Sequence, residues 1–320
     1  MNMSKIIDIR NLKKYYKSPR GTVHAVDDVT FGIEAGKTIG IVGESGCGKS
    51  TLGRMLVHLE ESTSGQIIFQ GEDITQLSKA DMKQFREHSQ IIFQDPYSSL
   101  DPRYTIEDSI KEPLIFSGKY SRAEALERTR DLMELVGIAP RLRMSYPHEL
   151  DGGRRQRVGI ARALALDPEF IVCDEPVSAL DVSIQAQVLN LLKELQQKRG
   201  LTYMFITHDL SVVKHISDDI CVMYLGQLVE TSPSHELFAT QYHPYTKALL
   251  SAIPSTDIRH KMNRIVLKGE ITSPIDPKPG CRFAARCPYA SEQCLQPQKL
   301  EEVAPNHFVS CCKVREINGL

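Results

Sequence analysis

The chain has 320 residues, 41% of them hydrophobic and 25% charged, and its formal net charge is −1 at pH 7. This composition is typical of a globular protein long enough to bury a core, and its near-zero charge argues against a nucleic-acid partner. No stretch approaches the roughly 20 apolar residues that span a bilayer, and the N-terminus does not resemble a signal peptide, so any membrane role is expected through a partner.

The pattern of apolar residues divides the chain into three parts. Residues 1–94 alternate short β-branched runs with glycine turns, while residues 95–165 carry apolar residues at helical spacing. Residues 166–254 alternate strands and helices again, which predicts a mostly parallel sheet flanked by helices. We therefore expect an α/β core of residues 1–94 and 166–254, a helical subdomain at 95–165, and a small proline- and cysteine-rich C-terminal module at 255–320.

A glycine-rich loop follows an apolar strand and opens a helix. It matches the pattern G-x-x-x-x-G-K-[ST] with residues Gly43, Glu44, Ser45, Gly46, Cys47, Gly48, Lys49, Ser50 and Thr51. Successive backbone N–H groups in such a loop form an anion-binding nest at a helix N-terminus. Lys49 can reach the β- and γ-phosphates of a nucleotide, and Ser50 can ligate Mg²⁺. An empty glycine turn is a poor alternative in this context.

Cys47 is expected to pack in the loop, or alternatively to have a lowered pKa at the helix N-terminus.

Two acids end a second apolar strand. Asp174 and Glu175 follow the buried-type run at 170–173. Asp174 can hold Mg²⁺, and Glu175 can orient and deprotonate an attacking water. Many buried strands end in an ordinary surface acid, but the pairing with the phosphate loop favours a site for ATP and Mg²⁺.

Three further segments identify a family. The stretch Leu-Asp-Gly-Gly-Arg-Arg-Gln-Arg at 150–157 resembles the signature motif of ABC ATPases, the stretch at 178–181 resembles their D-loop, and Thr207-His208-Asp209 resembles their histidine switch. The resemblance implies the fold of a P-loop NTPase. It also implies that Gln94 senses the γ-phosphate and Mg²⁺, that His208 contacts the γ-phosphate, and that Tyr16 stacks on adenine. Taken alone, His208 would be an ordinary half-buried histidine and Tyr16 a core residue.

The similarity narrows to one subfamily. Segment 91–102 and the tail motifs at 243–250, 267–270, 280–283 and 286–288 resemble the oligopeptide/dipeptide importers. This resemblance implies an ATPase subunit at the cytoplasmic face of the membrane that powers import of di- and oligopeptides. Its partners would be a second ABC ATPase subunit, two integral-membrane permease subunits and an extracellular substrate-binding protein. Alternatives are a motor for nickel or oligosaccharide import, a non-transport ABC ATPase, and an interaction protein that uses the fold as a scaffold.

One departure from the family pattern concerns the signature motif. Family members dimerise head to tail, so Gly152 and Gly153 would face the partner's γ-phosphate and Asp181 would lie in the D-loop at the interface. The usual serine of the signature is replaced by Asp151, which cannot donate to a phosphate and would repel it. We therefore expect a heterodimer with two unequal ATP sites.

The last 40 residues contain five of the eight cysteines. Cys281, Cys287 and Cys294, with one of Cys311 and Cys312, form a plausible four-thiolate site for an iron–sulfur cluster or Zn²⁺. The absence of a C-x₂-C pair favours the cluster, and unligated packing cysteines are the remaining alternative. The resembled subfamily implies a [4Fe–4S] cluster with Cys311 as the fourth ligand.

Overall fold

The computed structural model describes residues 5–253, 264–270 and 272–320. The strands in these ranges are β1 (Lys5–Ser18), β2 (Gly21–Glu34), β3 (Thr38–Val42), β4 (Ser64–Phe69), β5 (Glu72–Asp73), β6 (Ser89–Ile92), β7 (Phe170–Asp174), β8 (Thr202–Ile206), β9 (Asp219–Tyr224), β10 (Gln227–Pro233), β11 (Glu301–Ala304) and β12 (His307–Val309). The helices are α1 (Lys49–Leu56), α2 (Lys79–His88), α3 (Pro96–Ser99), α4 (Ile106–Ser117), α5 (Arg122–Leu135), α6 (Gly152–Leu164), α7 (Val182–Arg199), α8 (Leu210–Ile216), α9 (Ser234–Ala239), α10 (Pro244–Ser251) and α11 (Val314–Asn318).

Two sheets organise the described chain. The larger has the order β11-β12-β10-β9-β3-β8-β7-β6, and its five strands from β9 to β6 are parallel. Strands β10, β12 and β11 extend it in antiparallel pairs. The smaller sheet has the order β2-β1-β4-β5, and its strands are antiparallel. The predicted α/β fold is confirmed, although the main sheet is mixed and four of the five strands before residue 74 form the separate antiparallel sheet.

Strand β7 shows why the centre of the main sheet is an unbroken apolar run. All five of its residues are buried, because both faces of the sheet are covered. Alternate side chains point to opposite faces. Ile171 and Cys173 pack with the cores of α4 to α7, whereas Phe170 and Val172 pack with α1 and the antiparallel sheet. The helical region predicted at 95–165 therefore covers one face, and the phosphate-loop helix covers the other.

The C-terminal segment is built into the main sheet. Strand β12 pairs with β10, with Glu230 opposite Val309. The fully buried Glu230 carboxylate accepts hydrogen bonds from the backbone N–H groups of Tyr242 and His243 and lies 2.7 Å from Nε2 of His307. The structure thus does not confirm a separate C-terminal module, and the predicted boundary at 254/255 lies outside the described residues.

No helix within the described ranges is both long enough and apolar enough to cross a membrane.

His243 begins helix α10 as its N-cap. Its Nδ1 accepts a hydrogen bond of 3.1 Å from the backbone N–H of Tyr245, so this nitrogen must be unprotonated. The ring is buried, and burial lowers the pKa of His243 to about 4, although the Glu230 carboxylate opposes this shift. The neutral ring therefore caps the first turn of α10.

This histidine predicts a pH dependence of stability. The pKa of His243 is about 4 in the folded chain and ordinarily 6.5, so the unfolded state binds more protons between these values. Its contribution to stability is complete above pH 6.5 and falls as the pH approaches 4. We expect His243→Asn, which keeps a capping acceptor, to remove about 1.5 kcal/mol of the stability lost between pH 6.5 and 5. Denaturant unfolding at both pH values measures this, and parallel losses in wild type and variant would contradict it.

Candidate nucleotide-binding site

The predicted site residues meet at the carboxyl ends of parallel strands. The glycine loop follows β3, Asp174 ends β7 and Glu175 follows it, His208 follows β8, and Gln94 follows β6. A pocket at this edge is lined by residues of the loop together with Gln94, Glu175 and His208. The fold therefore brings together the loop, glutamine, glutamate and histidine that were selected from the sequence.

The loop holds its lysine and serine in defined contacts. The buried Lys49 Nζ donates to the carbonyl oxygens of Gly43 at 2.8 Å and Glu44 at 2.9 Å. Ser50 Oγ donates to Asp174 Oδ1 at 2.7 Å. A hydroxyl beside a carboxylate is a pair of hard oxygen donors, which is the kind of ligand set that Mg²⁺ takes. The residues present therefore fit a magnesium ion.

Gly48 is required in the loop for a geometric reason. Its φ is +103°, and a Cβ at this position would overlap the carbonyl oxygen of Ala25. The loop can pass this close to β2 only without a side chain.

Glu175 lies between two polar neighbours. Its Oε2 accepts a hydrogen bond of 3.0 Å from Gln94 Nε2 and lies 3.2 Å from Nδ1 of His208. The backbone of Glu175 has a φ of +47°, which is uncommon for a side-chain-bearing residue and is typical of functional sites. The His208 side chain is 60% exposed, so it is not the half-buried histidine of the alternative interpretation.

Burial controls the titration of two site residues. Desolvation raises the pKa of Asp174, against the hydrogen bond from Ser50 and the charges of Arg54 and Lys49. A bound cation would favour the ionised form of this carboxylate. Burial also raises the pKa of Cys47, so the alternative of a lowered pKa is wrong and the thiol packs in the loop.

The opposite wall of the pocket contains residues that the sequence analysis did not select. His24 and Ala25 of β2, the turn at 225–226 and Pro274 line this wall. Tyr16 is not among the lining residues, although it is paired with Val23, which lines the pocket. Instead Tyr15 stacks on His24, with ring centroids 4.0 Å apart. The aromatic residues Tyr15 and His24, on the successive strands β1 and β2, could have indicated this wall from the sequence.

The signature segment begins helix α6. Asp151 is its N-cap and accepts a hydrogen bond of 2.7 Å from the backbone N–H of Arg154, whose Nε lies 3.4 Å from the same carboxylate. Asp181 caps α7 in the same way through Ile184. The two helices touch where a Cβ on Gly153 would overlap the side chain of Ile184. Gly152 and Gly153 thus stand at the start of a helix.

The C-terminal segment reaches the phosphate loop, which the sequence analysis missed. Arg286 lies 2.8 Å from the Glu44 carboxylate, and the hydroxyl of Tyr245 accepts a hydrogen bond of 2.9 Å from the Glu44 N–H. Both residues belong to subfamily motifs that sequence reasoning assigned to the tail. The acidic Glu44 in the loop and the basic Arg286 in the tail were the features of the sequence that could have indicated this contact.

The C-terminal cysteines lie near one another. Burial raises the pKa of Cys281 to about 12, and the Cys294, Cys311 and Cys287 thiols add to the rise. The Sγ atoms of Cys294 and Cys312 are 3.9 Å apart. Yet in the part of the chain that the structure describes, no group of three or more His, Cys, Asp or Glu side chains is arranged to hold a metal ion. The structure therefore does not support the predicted cluster or zinc site.

Two family models match the sequence. The model of the ABC transporter family matches residues 26–178, and that of the oligopeptide/dipeptide transporter C-terminal region matches residues 229–294. Among curated proteins, the oligopeptide transport ATP-binding protein AppF of Bacillus subtilis is 51% identical, over 97% of this chain and 98% of that protein. OppF of the same organism, which has the same descriptive name, is 50% identical over 96% of each chain.

Solved structures share the fold. CbiO1 of Clostridium perfringens, part of the ABC transporter complex cbiONQ, has a TM-score of 0.66 and 29% identity, covering 74% of this chain and 92% of that one. The dimeric ATP-binding cassette MJ0796 bound to ADP and Pi has a TM-score of 0.65 and 29% identity, covering 71% of this chain and 98% of that one.

Proposed function

Because this chain belongs to the ABC transporter family and to its oligopeptide transport ATP-binding proteins, we propose that it hydrolyses ATP to power the import of di- and oligopeptides. The observation that carries this proposal is the convergence of Gln94 and His208 on one oxygen of Glu175, beside the glycine loop. A scaffold protein would not need this arrangement.

The loop and the end of β7 bind the nucleotide in this proposal. Backbone N–H groups of the loop and the Lys49 ammonium bind the phosphates, and Ser50 and Asp174 hold the magnesium ion, with Gln94 beside them. Magnesium neutralises phosphate charge that would otherwise oppose attack. Tyr16 or the His24 wall receives the base, because His24 lines the pocket and Tyr16 is paired with Val23, another lining residue.

Glu175 is the general base. Its carboxylate takes a proton from the attacking water, and its two neighbours orient it. His208 is exposed on the pocket side, so it is free to contact the γ-phosphate when the site closes. Gln94 connects the site to the segment that follows β6, where motion would pass to the membrane subunits.

A substitution of the base tests this function. We expect Glu175→Gln to lower ATP turnover by about 10²- to 10⁴-fold because the amide cannot accept the proton, while ATP binding is retained. The measurement is phosphate release, with binding followed separately by a fluorescent ATP analogue. The matched control is Glu194→Gln on the exposed face of α7, which should keep wild-type turnover. Equal turnover in Glu175→Gln and wild type would contradict the assignment.

The partners follow from the proposed import role. A second ABC ATPase subunit, two permease subunits and an extracellular substrate-binding protein would complete the transporter, with this chain at the cytoplasmic face of the membrane. Residues 1–94 and 166–254 would hold the nucleotide, residues 95–165 would face the permease, and residues 255–320 would form the subfamily's C-terminal part. Asp181 would lie at the ATPase–ATPase interface, since it begins the helix that packs on Gly153.

Asp151 supports unequal ATP sites. Its carboxylate is 57% exposed and already engaged with the N–H and guanidinium of Arg154. Arg154 reduces the repulsion of a facing phosphate, but the carboxylate still offers no hydrogen to donate. The partner's ATP would therefore be completed by a weaker signature than this chain's own ATP.

Replacing this acid tests the asymmetry. Asp151→Ser keeps an N-cap and adds a donor, so we expect ATPase turnover of the assembled transporter to rise roughly twofold as the second site becomes active. Asp151→Gly removes the charge without adding a side-chain donor, at little cost as an N-cap, and so separates the effect of the charge from that of the missing donor. Unchanged turnover in Asp151→Ser would show that the second site is not handicapped by Asp151.

The cysteine cluster gives a further proposal. We infer a [4Fe–4S] cluster on Cys281, Cys287, Cys294 and Cys311, supported by the mutual proximity of these thiols and by the resemblance to the subfamily. The thiolates would supply all four ligands.

Spectroscopy of anaerobically purified protein tests this proposal. We expect a brown protein with broad visible absorption and about four iron atoms per chain. The absorption should be lost in Cys281→Ser and kept in Cys221→Ser, whose thiol lies in β9 against Thr231. A colourless protein containing stoichiometric zinc, or no metal, would rule out the cluster.

A further inference from the structure

Glu44 is an acidic residue inside a loop that binds a polyanion. Its three polar groups are all engaged: the N–H with Tyr245, the carbonyl oxygen with Lys49 and the carboxylate with Arg286. The next two residues of the loop, Ser45 and Gly46, line the pocket. The position of Glu44 therefore fixes the start of the phosphate-binding backbone.

An unpaired carboxylate at this position would oppose phosphate binding. Like charges repel more strongly where water is partly excluded, and Glu44 directly precedes two residues that line the pocket. Arg286 is placed to cancel this charge: its side chain is only 9% exposed, it contacts Glu44 at 2.8 Å, and it lies over the ring of Tyr224. The hydrogen bond to Glu44 raises the pKa of Arg286, so the guanidinium remains charged.

A second arginine of the same segment reaches the other side of the pocket. Arg282 forms an ion pair with Asp27 and donates to the carbonyl oxygen of Leu225. Asp27 accepts a hydrogen bond from Tyr15 and lies 3.5 Å from Nδ1 of His24, a residue of the pocket wall. Nearby, His24 N–H donates to the carbonyl oxygen of Pro274 at 3.0 Å.

The C-terminal segment thus touches both the phosphate side and the opposite wall of one pocket. We propose that Arg286 is a positioning residue for the phosphate loop: it neutralises Glu44, and through it the C-terminal segment sets the affinity of the site for the nucleotide. This inference rests on the proposed binding of ATP at this pocket. Arg286 thus has a role in the nucleotide site although it lies more than 240 positions from the loop in sequence.

Two single substitutions test the proposal, because each is expected to change the affinity for ATP in a different direction. The full chain is titrated with a fluorescent ATP analogue and Mg²⁺, and folding is checked by thermal unfolding. Arg286→Met keeps the side-chain volume but leaves Glu44 unpaired, so affinity should fall about tenfold. Glu44→Gln removes the repelling charge, so affinity should be at least that of wild type. The double variant should lie within about twofold of wild type. Arg315→Met, at an exposed arginine of α11, is the control and should match wild type.

An ion pair with a purely structural role predicts a different pattern. Both single substitutions would then weaken binding, and the double variant would be as weak as Arg286→Met; that result would overturn the proposal, as would an unchanged affinity in Arg286→Met. If Arg286→Met does not fold, Glu44→Gln decides alone, because weakened binding in this variant contradicts neutralisation. Absence of saturable binding in the wild-type chain would instead contradict the proposed function.

Discussion

The nucleotide site depends on the register of the parallel strands at the centre of the main sheet. Ile206 of β8 is paired with both Ile41 of β3 and Asp174 of β7, and Ile92 of β6 is paired with Cys173. These pairings bring the glycine loop, the two acids, the histidine and the glutamine to one edge. A slip of one residue in β7 would turn Asp174 to the opposite face of the sheet and break its contact with Ser50. Buried apolar side chains on both faces oppose this slip.

The sequence was most informative where function constrains a contiguous segment. The loop at 43–51, the acids at 174–175 and the histidine at 208 each stand next to a recognisable apolar strand, so their meeting point follows from parallel pairing. The N-cap role of Asp151 was not predicted, although an acid before a helix is a local signal. The same local reasoning could not show that Arg154 contacts this acid.

Long-range contacts were beyond this reasoning. The pairing of β12 with β10, the buried contact between Glu230 and His307, and the contact between Arg286 and Glu44 join residues far apart in sequence. No periodicity predicts which distant arginine meets a given acid. The mixed character of the main sheet was missed partly for the same reason, since its antiparallel edge includes a hairpin from the end of the chain. The antiparallel pairing of β9 with β10 is local, but β10 was not predicted as a strand.

The central claim is that ATP with magnesium binds at the pocket formed by the glycine loop and the end of β7. Isothermal titration of the purified full chain with ATP, in the presence of Mg²⁺ and after its removal by a chelator, tests this claim most directly. We predict saturable binding of one ATP per chain that weakens when Mg²⁺ is removed, because Ser50 and Asp174 would hold the ion that offsets the charge of the phosphates. Absence of saturable binding with Mg²⁺ present would contradict it.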